Sequence, residues 1–474
     1  MKHAMSHRRA KIVCTLGPAS QVAGVIRELI DAGMDVARLN FSHGDHEQHR
    51  RNAETVRKAA AEAGRVVGIL GDLSGPKIRI GEMPNGGVEL HHGAEFSFVA
   101  QAGVSTEQAV SITYPPLVEE MEIGDAIFAD DGLLQFQVHS IEPGVVHCRV
   151  VDGGVLRSKK GLNSKRAGAS AAGLTEKDRR DLSFGKQIGV DYFAMSFVRT
   201  KADIDAAKEL AGEIPVVAKI EKPQALDNLD AIADAADGMM VARGDLAVEL
   251  GAEKVPLAQK RMIRTMNERA KPVIVATQML ESMTQNPRPT RAEVSDVANA
   301  VIDGADALML SAETAMGEHP IGAVQTMARI IEEVESSTDA PAVFAMRKPT
   351  TTPGFEHAAA HAAARAAIDF GLKAIVVYSA TGRSAAYVSA FRPRSAILGF
   401  SPNPEVLSRM PILWGVRPVA IDKVESAEAA IRQVESCLLA EGLVSPGDQA
   451  AVVLGLDVSK PPGSTTLQIW KVGG

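Results

Sequence analysis

The chain predicts an α/β fold: a (β/α)8 TIM barrel with an inserted small antiparallel β-barrel lid domain and a C-terminal α/β domain. Three observations lead there. Short apolar runs alternate with helical segments over residues 11–335, polar residues gather at one end of those runs, and one connection is far too long for a turn.

The runs are Lys11–Gly17, Asp35–Ser42, Val66–Leu73, Asp191–Val198, Pro215–Glu221, Gly238–Leu246, Pro272–Leu280 and Ala307–Thr314. Their near-continuous apolar character suits strands buried on both faces, as in a parallel sheet covered by helices. An open doubly wound sheet is the alternative; the number of runs and their one-ended polarity favour a closed barrel. Arg38, Asn40, Ser42 and His43 end the second run, and Asp72 the third. Lys219 and Glu221 end the fifth, Arg243-Gly244-Asp245 the sixth, Thr277 the seventh, and Ser311 and Glu313 the eighth. The C-terminal face is where such barrels carry their chemistry.

Residues 75–173 interrupt the alternation with short alternating runs such as Ala126–Ala129, Leu134–Val138 and Val145–Val151, broken by Gly and Pro. This reads as an inserted antiparallel lid above the active face. The barrel then occupies 1–74 and 174–339. After a linker near Asp339–Gly354, residues 340–474 open with the Ala-rich helix His357–Phe370 and continue as a separate α/β domain. No fixed-period repeat is visible beyond the βα alternation.

With 474 residues, 46% hydrophobic and 23% charged, the chain is an ordinary globular composition able to bury several cores. A net charge of −7 argues against a nucleic-acid-coating surface. Three cysteines without a CxxC pair suit a reducing cytoplasm. The basic start, Met1 to Arg9, leads into no apolar stretch, so no signal peptide is expected, and no apolar run is long enough to span a bilayer.

The stretch Ile214–Leu226 carries the sharpest chemical signal. Side chains alternate along a strand, so Lys219 and Glu221 share a face. A cation and a carboxylate at the mouth of an apolar strand cost desolvation energy unless further charge joins them. The pair therefore points to an anionic substrate and a divalent metal.

Taken together, Arg38-Leu-Asn-Phe-Ser-His-Gly44, Gly75-Pro-Lys-Ile-Arg79, Ala218-Lys-Ile-Glu221, Val241-Ala-Arg-Gly-Asp-Leu246, Ala276-Thr-Gln-Met-Leu-Glu-Ser-Met283 and Leu310-Ser-Ala-Glu-Thr314 make the sequence resemble the pyruvate kinases. The resemblance runs from about Lys11 to the C-terminus. It implies phosphoryl transfer from phosphoenolpyruvate to ADP, giving pyruvate and ATP in glycolysis. Lys219 matches the lysine that contacts the phosphoryl group in transit, and Arg38 a phosphate-binding arginine. Glu221 and Asp245 match ligands of Mg²⁺ or Mn²⁺. The backbone at Gly244 and Asp245 matches a substrate-carboxylate site. Asn40, His43, Arg79 and Lys177 match nucleotide-side positions. Thr277 matches a residue near the enolate during protonation, acting through a water relay with Ser311. A homotetramer is the family's usual assembly.

Two regions depart from the pattern. Many relatives hold K⁺ at positions matching Asn40, Ser42, Asp72 and the backbone of Leu73, alongside a glutamate where this chain has Lys77. An ammonium beside Asp72 would stand in for the ion, so activity without K⁺ is expected. In the last domain, Ser379, Thr381, Gly382, Arg383 and Ser384 resemble a phosphate loop for a sugar-phosphate effector, although Ala380 stands where some relatives carry lysine. Two other readings stay open: a metal-dependent barrel lyase acting on pyruvate or oxaloacetate, and a non-catalytic metabolite sensor.

Overall fold

Eight parallel strands close on themselves: Lys11–Thr15, Val36–Asn40, Gly68–Asp72, Tyr192–Met195, Val216–Ile220, Gly238–Ala242, Val273–Ala276 and Ala307–Leu310. Each pairs with the next, and the eighth returns to the first with Lys11 beside Ala307. The computed structural model describes residues 8–168, 173–337, 354–423, 427–440, 442–454 and 465–473. The expected linker at 339–354 lies outside them except for Gly354, as does the expected boundary at 339/340.

All eight expected runs contain a barrel strand; Arg38, Asn40, Asp72 and Lys219 lie on the strands themselves, while Ser42, His43, Glu221, Arg243, Asp245, Thr277, Ser311 and Glu313 follow the strand ends. The residues past the strand ends sit on rim loops and short helices. Gly238–Ala242 shows this best. The run was expected to continue as strand through Leu246, yet Arg243 opens a helix, Arg243–Leu250. Asp245 therefore lies in the first turn of a helix, where a carboxylate is favoured by the exposed N–H groups.

The lid comprises a six-stranded sheet and a two-stranded one, antiparallel except where Glu95–Val99 runs parallel to Ala109–Ser111. Its own core includes Phe96, Phe98 and Phe136. The chain re-enters the barrel at the helix Glu176–Gln187. Thr175 and Asp178 bond reciprocally across its first turn, which satisfies two N–H groups that a helix start otherwise leaves bare.

The last domain is a five-stranded sheet in which Ala374–Tyr378, Ala396–Ser401, Val416–Ala420 and Gln449–Leu454 run parallel and Thr466–Lys471 antiparallel. It docks on the N-terminal end of the barrel. Arg392, 1% exposed, pairs with Asp306 at 2.9 Å and lies over the Trp414 ring. Lys11 Nζ donates to the Val416 carbonyl at 2.7 Å, and the Tyr192 hydroxyl to that of Arg409. No helix among the described residues is long and apolar enough to cross a membrane.

Candidate active site

At the C-terminal end of the barrel, Lys219 Nζ stands 3.1 Å from Asp72 Oδ1 and 3.1 Å from Glu221 Oε1. It also donates to Ser196 Oγ at 2.5 Å, and Ser196 in turn donates to the Leu73 carbonyl at 2.7 Å. Arg38 Nε donates to Asp72 Oδ2 at 2.6 Å, with its NH1 on Thr15 Oγ1 at 3.0 Å. The Asp72 side chain is thus enclosed between two cations. Burial works to raise its pKa, but Lys219 and Arg38 outweigh burial and hold it below the usual carboxylate range. Burial likewise opposes the Lys219 ammonium, and Asp72 with Glu221 overcomes it, so Lys219 is firmly protonated.

Glu221 is 3% exposed and takes Phe197 N–H on Oε2 at 2.7 Å. Phe197 reaches that position with φ +56°, a left-handed conformation unusual for an aromatic residue. Burial pushes Glu221 upward, Lys219 opposes this, and the charge of Asp245 adds to it. Two carboxylates just past the ends of neighbouring strands therefore repel one another at a cost that a hard cation would relieve. Among the described residues no cluster of three or more His, Cys, Asp or Glu forms a complete metal cage. Glu221 and Asp245 fit Mg²⁺ or Mn²⁺ with the remaining positions left to substrate oxygens and water.

Lys77 does not stand where the sequence placed it. Its ammonium was expected beside Asp72; it lies instead 3.2 Å from Asp245 Oδ1 and 3.9 Å from Asp131 Oδ1 of the lid. The reason is steric and electrostatic. Asp72 already faces Arg38 and Lys219, while the Lys77 chain runs across Gly161, where a Cβ would meet Lys77 Cε at 2.8 Å. The remaining residues expected around a monovalent ion are partly engaged. Asn40 Oδ1 accepts from Ser42 N at 3.2 Å, and the Leu73 carbonyl is held by Ser196.

Thr277 occupies φ +70° and Gln278 φ +53°, strained for non-glycine residues and most costly for a β-branched one. The strain is held from Arg243, which donates to the Thr277 carbonyl at 2.6 Å and bridges to Asp296 at 2.7 Å. Thr277 Oγ1 accepts from Gly244 N at 2.9 Å, joining the seventh-strand loop to the helix that bears Asp245. Ser311 is fixed separately: its N–H donates to the fully buried Glu313 at 2.6 Å, and no hydrogen bond among the described residues links it to Thr277.

On the lid side, Arg79 NH1 donates to the Lys159 carbonyl at 3.1 Å. Lys177 Nζ donates to the Phe41 carbonyl at 2.5 Å and pairs with Asp181 at 2.6 Å. His43 feels this concentration of positive charge. Its partial burial and the charges of Arg79, Arg38, Lys77 and Lys177 hold its pKa below the ordinary value.

The sequence reading passed over Ser196, Phe197 and Thr15. Ser196 and Thr15 carried the same signal as the residues it chose, a polar group where an apolar run ends. The loop at 379–384 lies on the last domain, remote in sequence from this rim. Gly382, at φ +83°, donates its N–H to Ser379 Oγ at 2.9 Å, and Arg383 pairs with Glu356 at 3.1 Å.

Residues 7–324 match the family model described as pyruvate kinase, barrel domain, and residues 357–470 that of the pyruvate kinase alpha/beta domain. The chain belongs to the pyruvate kinase family. A pyruvate kinase of Mycobacterium tuberculosis is 45% identical over 466 residues, 96% of each chain. One from Geobacillus stearothermophilus is 41% identical over 467 residues, 97% of this chain and 79% of that one. A crystal structure of a pyruvate kinase from Cryptosporidium parvum superposes with a TM-score of 0.91 at 34% identity, covering 98% of this chain and 96% of that one. Membership makes this chain a phosphotransferase, which sets aside the lyase and sensor readings.

Proposed function

We propose that the enzyme transfers the phosphoryl group of phosphoenolpyruvate to ADP, giving pyruvate and ATP as a step of glycolysis in the cytoplasm. The observation that carries this reading is the convergence of Lys219, Glu221 and Asp72 within 3.1 Å, next to Asp245, at the catalytic end of the barrel. Phosphoryl transfer needs positioning and charge neutralisation rather than covalent help from the protein. Lys219, held protonated by two carboxylates, neutralises the phosphoryl oxygens in transit, and Arg38 orients the phosphate. Glu221 and Asp245 would hold Mg²⁺ or Mn²⁺, which would supply Lewis-acid neutralisation of the substrate's negative charge. The helix start at Gly244 and Asp245 would receive the substrate carboxylate, the Gly244 N–H exchanging its bond to Thr277 Oγ1 for the substrate. Asn40, His43, Arg79 and Lys177 face the nucleotide. Thr277 stands beside the enolate carbon; its hydroxyl is too weak an acid to act alone, and it orders water for protonation. Ser311 then acts from its own anchored position rather than in contact with Thr277.

The reading extends to independence from K⁺. Support comes from Asp72, whose two oxygens face Arg38 and Lys219, and from the Leu73 carbonyl, which is taken by Ser196. Lys77 contributes its charge one step away, at Asp245. A homotetramer and a sugar-phosphate effector at Ser379–Ser384 complete the proposal, the latter supported by a glycine turn opening the helix Arg383–Ala390. The test is a coupled assay of pyruvate release from phosphoenolpyruvate with ADP and Mg²⁺. Activity should persist when K⁺ is replaced by tetramethylammonium; collapse of turnover would refute independence. Lys77→Glu should introduce a K⁺ requirement, limited by Leu73 and Ile80, whose apolar side chains offer the ion no oxygen ligand.

A further inference from the structure

The chain passes between barrel and lid twice, and the two crossings are secured differently. The outgoing one is tied to the helix Glu176–Gln187: Gly75 N donates to Asp178 at 3.0 Å, and Lys177 reaches Ser74 Oγ at 3.2 Å. The returning one meets a buried ion pair. Glu249, in the last turn of the helix that carries Asp245 in its first, has a side chain with 0% exposure and pairs with Lys222, the residue after Glu221. Glu249 Oε1 also accepts from Asn163 Nδ2 at 3.3 Å, and Lys222 Nζ donates to the Ala167 carbonyl at 3.3 Å.

Both charges belong to the barrel, and both of these lid-side partners are neutral. The pair's desolvation cost is thus met within the barrel, while the lid adds only hydrogen bonds whose loss strands no charge. Asn163 lies close to Arg79 along the chain pairing. Leu162 N donates to the Ile78 carbonyl at 2.8 Å, Ile80 N to that of Lys160 at 2.9 Å, and Arg79 bridges Gly161. Two further features indicate room to adjust. Glu249 Oε2 is buried without a hydrogen-bond partner, and a cavity opens between Pro76 and Ile78 of one crossing, Leu162 of the other, and Phe197 and Lys222 of the rim.

We propose that Glu249 and Lys222 are positioning residues for the reaction. They grip the lid's return strand through Asn163 and Ala167, and so set where Arg79 stands over the Lys219–Glu221 rim. This rests on the reading above that Arg79 contacts the nucleotide. Because Glu249 and Asp245 share one short helix, lid position and metal-ligand position are set by the same element.

The test uses the full chain as Asn163→Ala and as the double variant Glu249→Gln/Lys222→Met. Asn163→Ala removes one of the grip's two hydrogen bonds, the one to Glu249, without changing charge. KM for ADP should rise about tenfold, the worth of one hydrogen bond to a charged acceptor, with KM for phosphoenolpyruvate within about twofold. Amide exchange at 77–81 and 160–163 should accelerate in both variants. Parallel movement of the two KM values, or unchanged exchange at those amides, overturns the proposal. If the double variant does not fold, Asn163→Ala alone decides. Absence of ADP-dependent pyruvate release from the unmodified enzyme would instead refute the functional reading, while the exchange measurement would still judge the grip.

Discussion

The two ends of the barrel are both lined with buried charge, yet they use it in opposite ways. At the N-terminal end, an aspartate stands just before every second strand and accepts the first or second N–H of the preceding one. Asp35 takes Ile12 N at 2.9 Å, Asp191 takes Ile69 N at 2.6 Å, Asp237 takes Val216 N at 2.9 Å, and Asp306 takes Val273 N at 2.9 Å. Each also has a cation: Arg8, Arg57, Lys208 and Arg392 respectively. These carboxylates finish the strand hydrogen bonding, and their lone pairs are occupied by the fold. At the C-terminal end, Asp72 and Glu221 face side-chain cations and take one backbone N–H between them, from Phe197. Buried charge therefore does not by itself mark a reactive site. What marks it is buried charge that the backbone leaves unused.

Substitutions at the two ends should separate accordingly. Lys219→Met is expected to lower turnover about a thousandfold or more, because it removes the charge nearest the moving phosphoryl group, with circular dichroism unchanged. Turnover within tenfold of the unmodified enzyme would erase the distinction. Asp245→Asn should raise the Mg²⁺ concentration for half-activity about a hundredfold, since one of two protein carboxylates is lost. Mg²⁺ titration at saturating substrate checks this.

At the other end, Asp306→Ala leaves Arg392 buried without its carboxylate. It should cost about 3 kcal/mol of stability in urea unfolding, with kcat per folded molecule unchanged. A large drop in kcat at full folding would show that the bottom of the barrel also governs chemistry. The last effect, a pH dependence of stability at Lys11, is confined to alkaline pH and is absent near neutrality. Burial lowers its pKa from 10.5 to about 8, with Asp35 opposing and Arg8 and Arg65 assisting. Between those values the unfolded chain binds more protons than the folded one, so this lysine makes stability rise with pH from about 8 to 10.5. Lys11→Met should remove that rise, measured as the pH dependence of Tm.

Much of the barrel end that carries chemistry was legible because its residues break an apolar run. Lys219 and Glu221 are two apart on one strand, and their 3.1 Å contact follows from strand alternation. The bottom-end pattern was in plain view as well and passed unread. Gly33-Met34-Asp35, Gly189-Val190-Asp191 and Gly304-Ala305-Asp306 each follow a helix with a positive-φ glycine and lead into a strand three residues after it. It was missed because an aspartate opening a strand looks like any loop residue until its acceptor role is seen. Lys77 failed for a different reason. Its partner depended on which carboxylate remained free, and sequence spacing does not say that Arg38 and Lys219 both turn to Asp72.

The sequence alone determined the alternation of strand and helix, the position of the lid insertion and the set of charges at the barrel mouth, because these follow from local periodicity and residue type. Only the tertiary structure decided how those charges pair, which lid residues the barrel grips and why Thr277 is held in a strained turn. Pairing depends on distances across strands far apart in the chain, and no local rule fixes them.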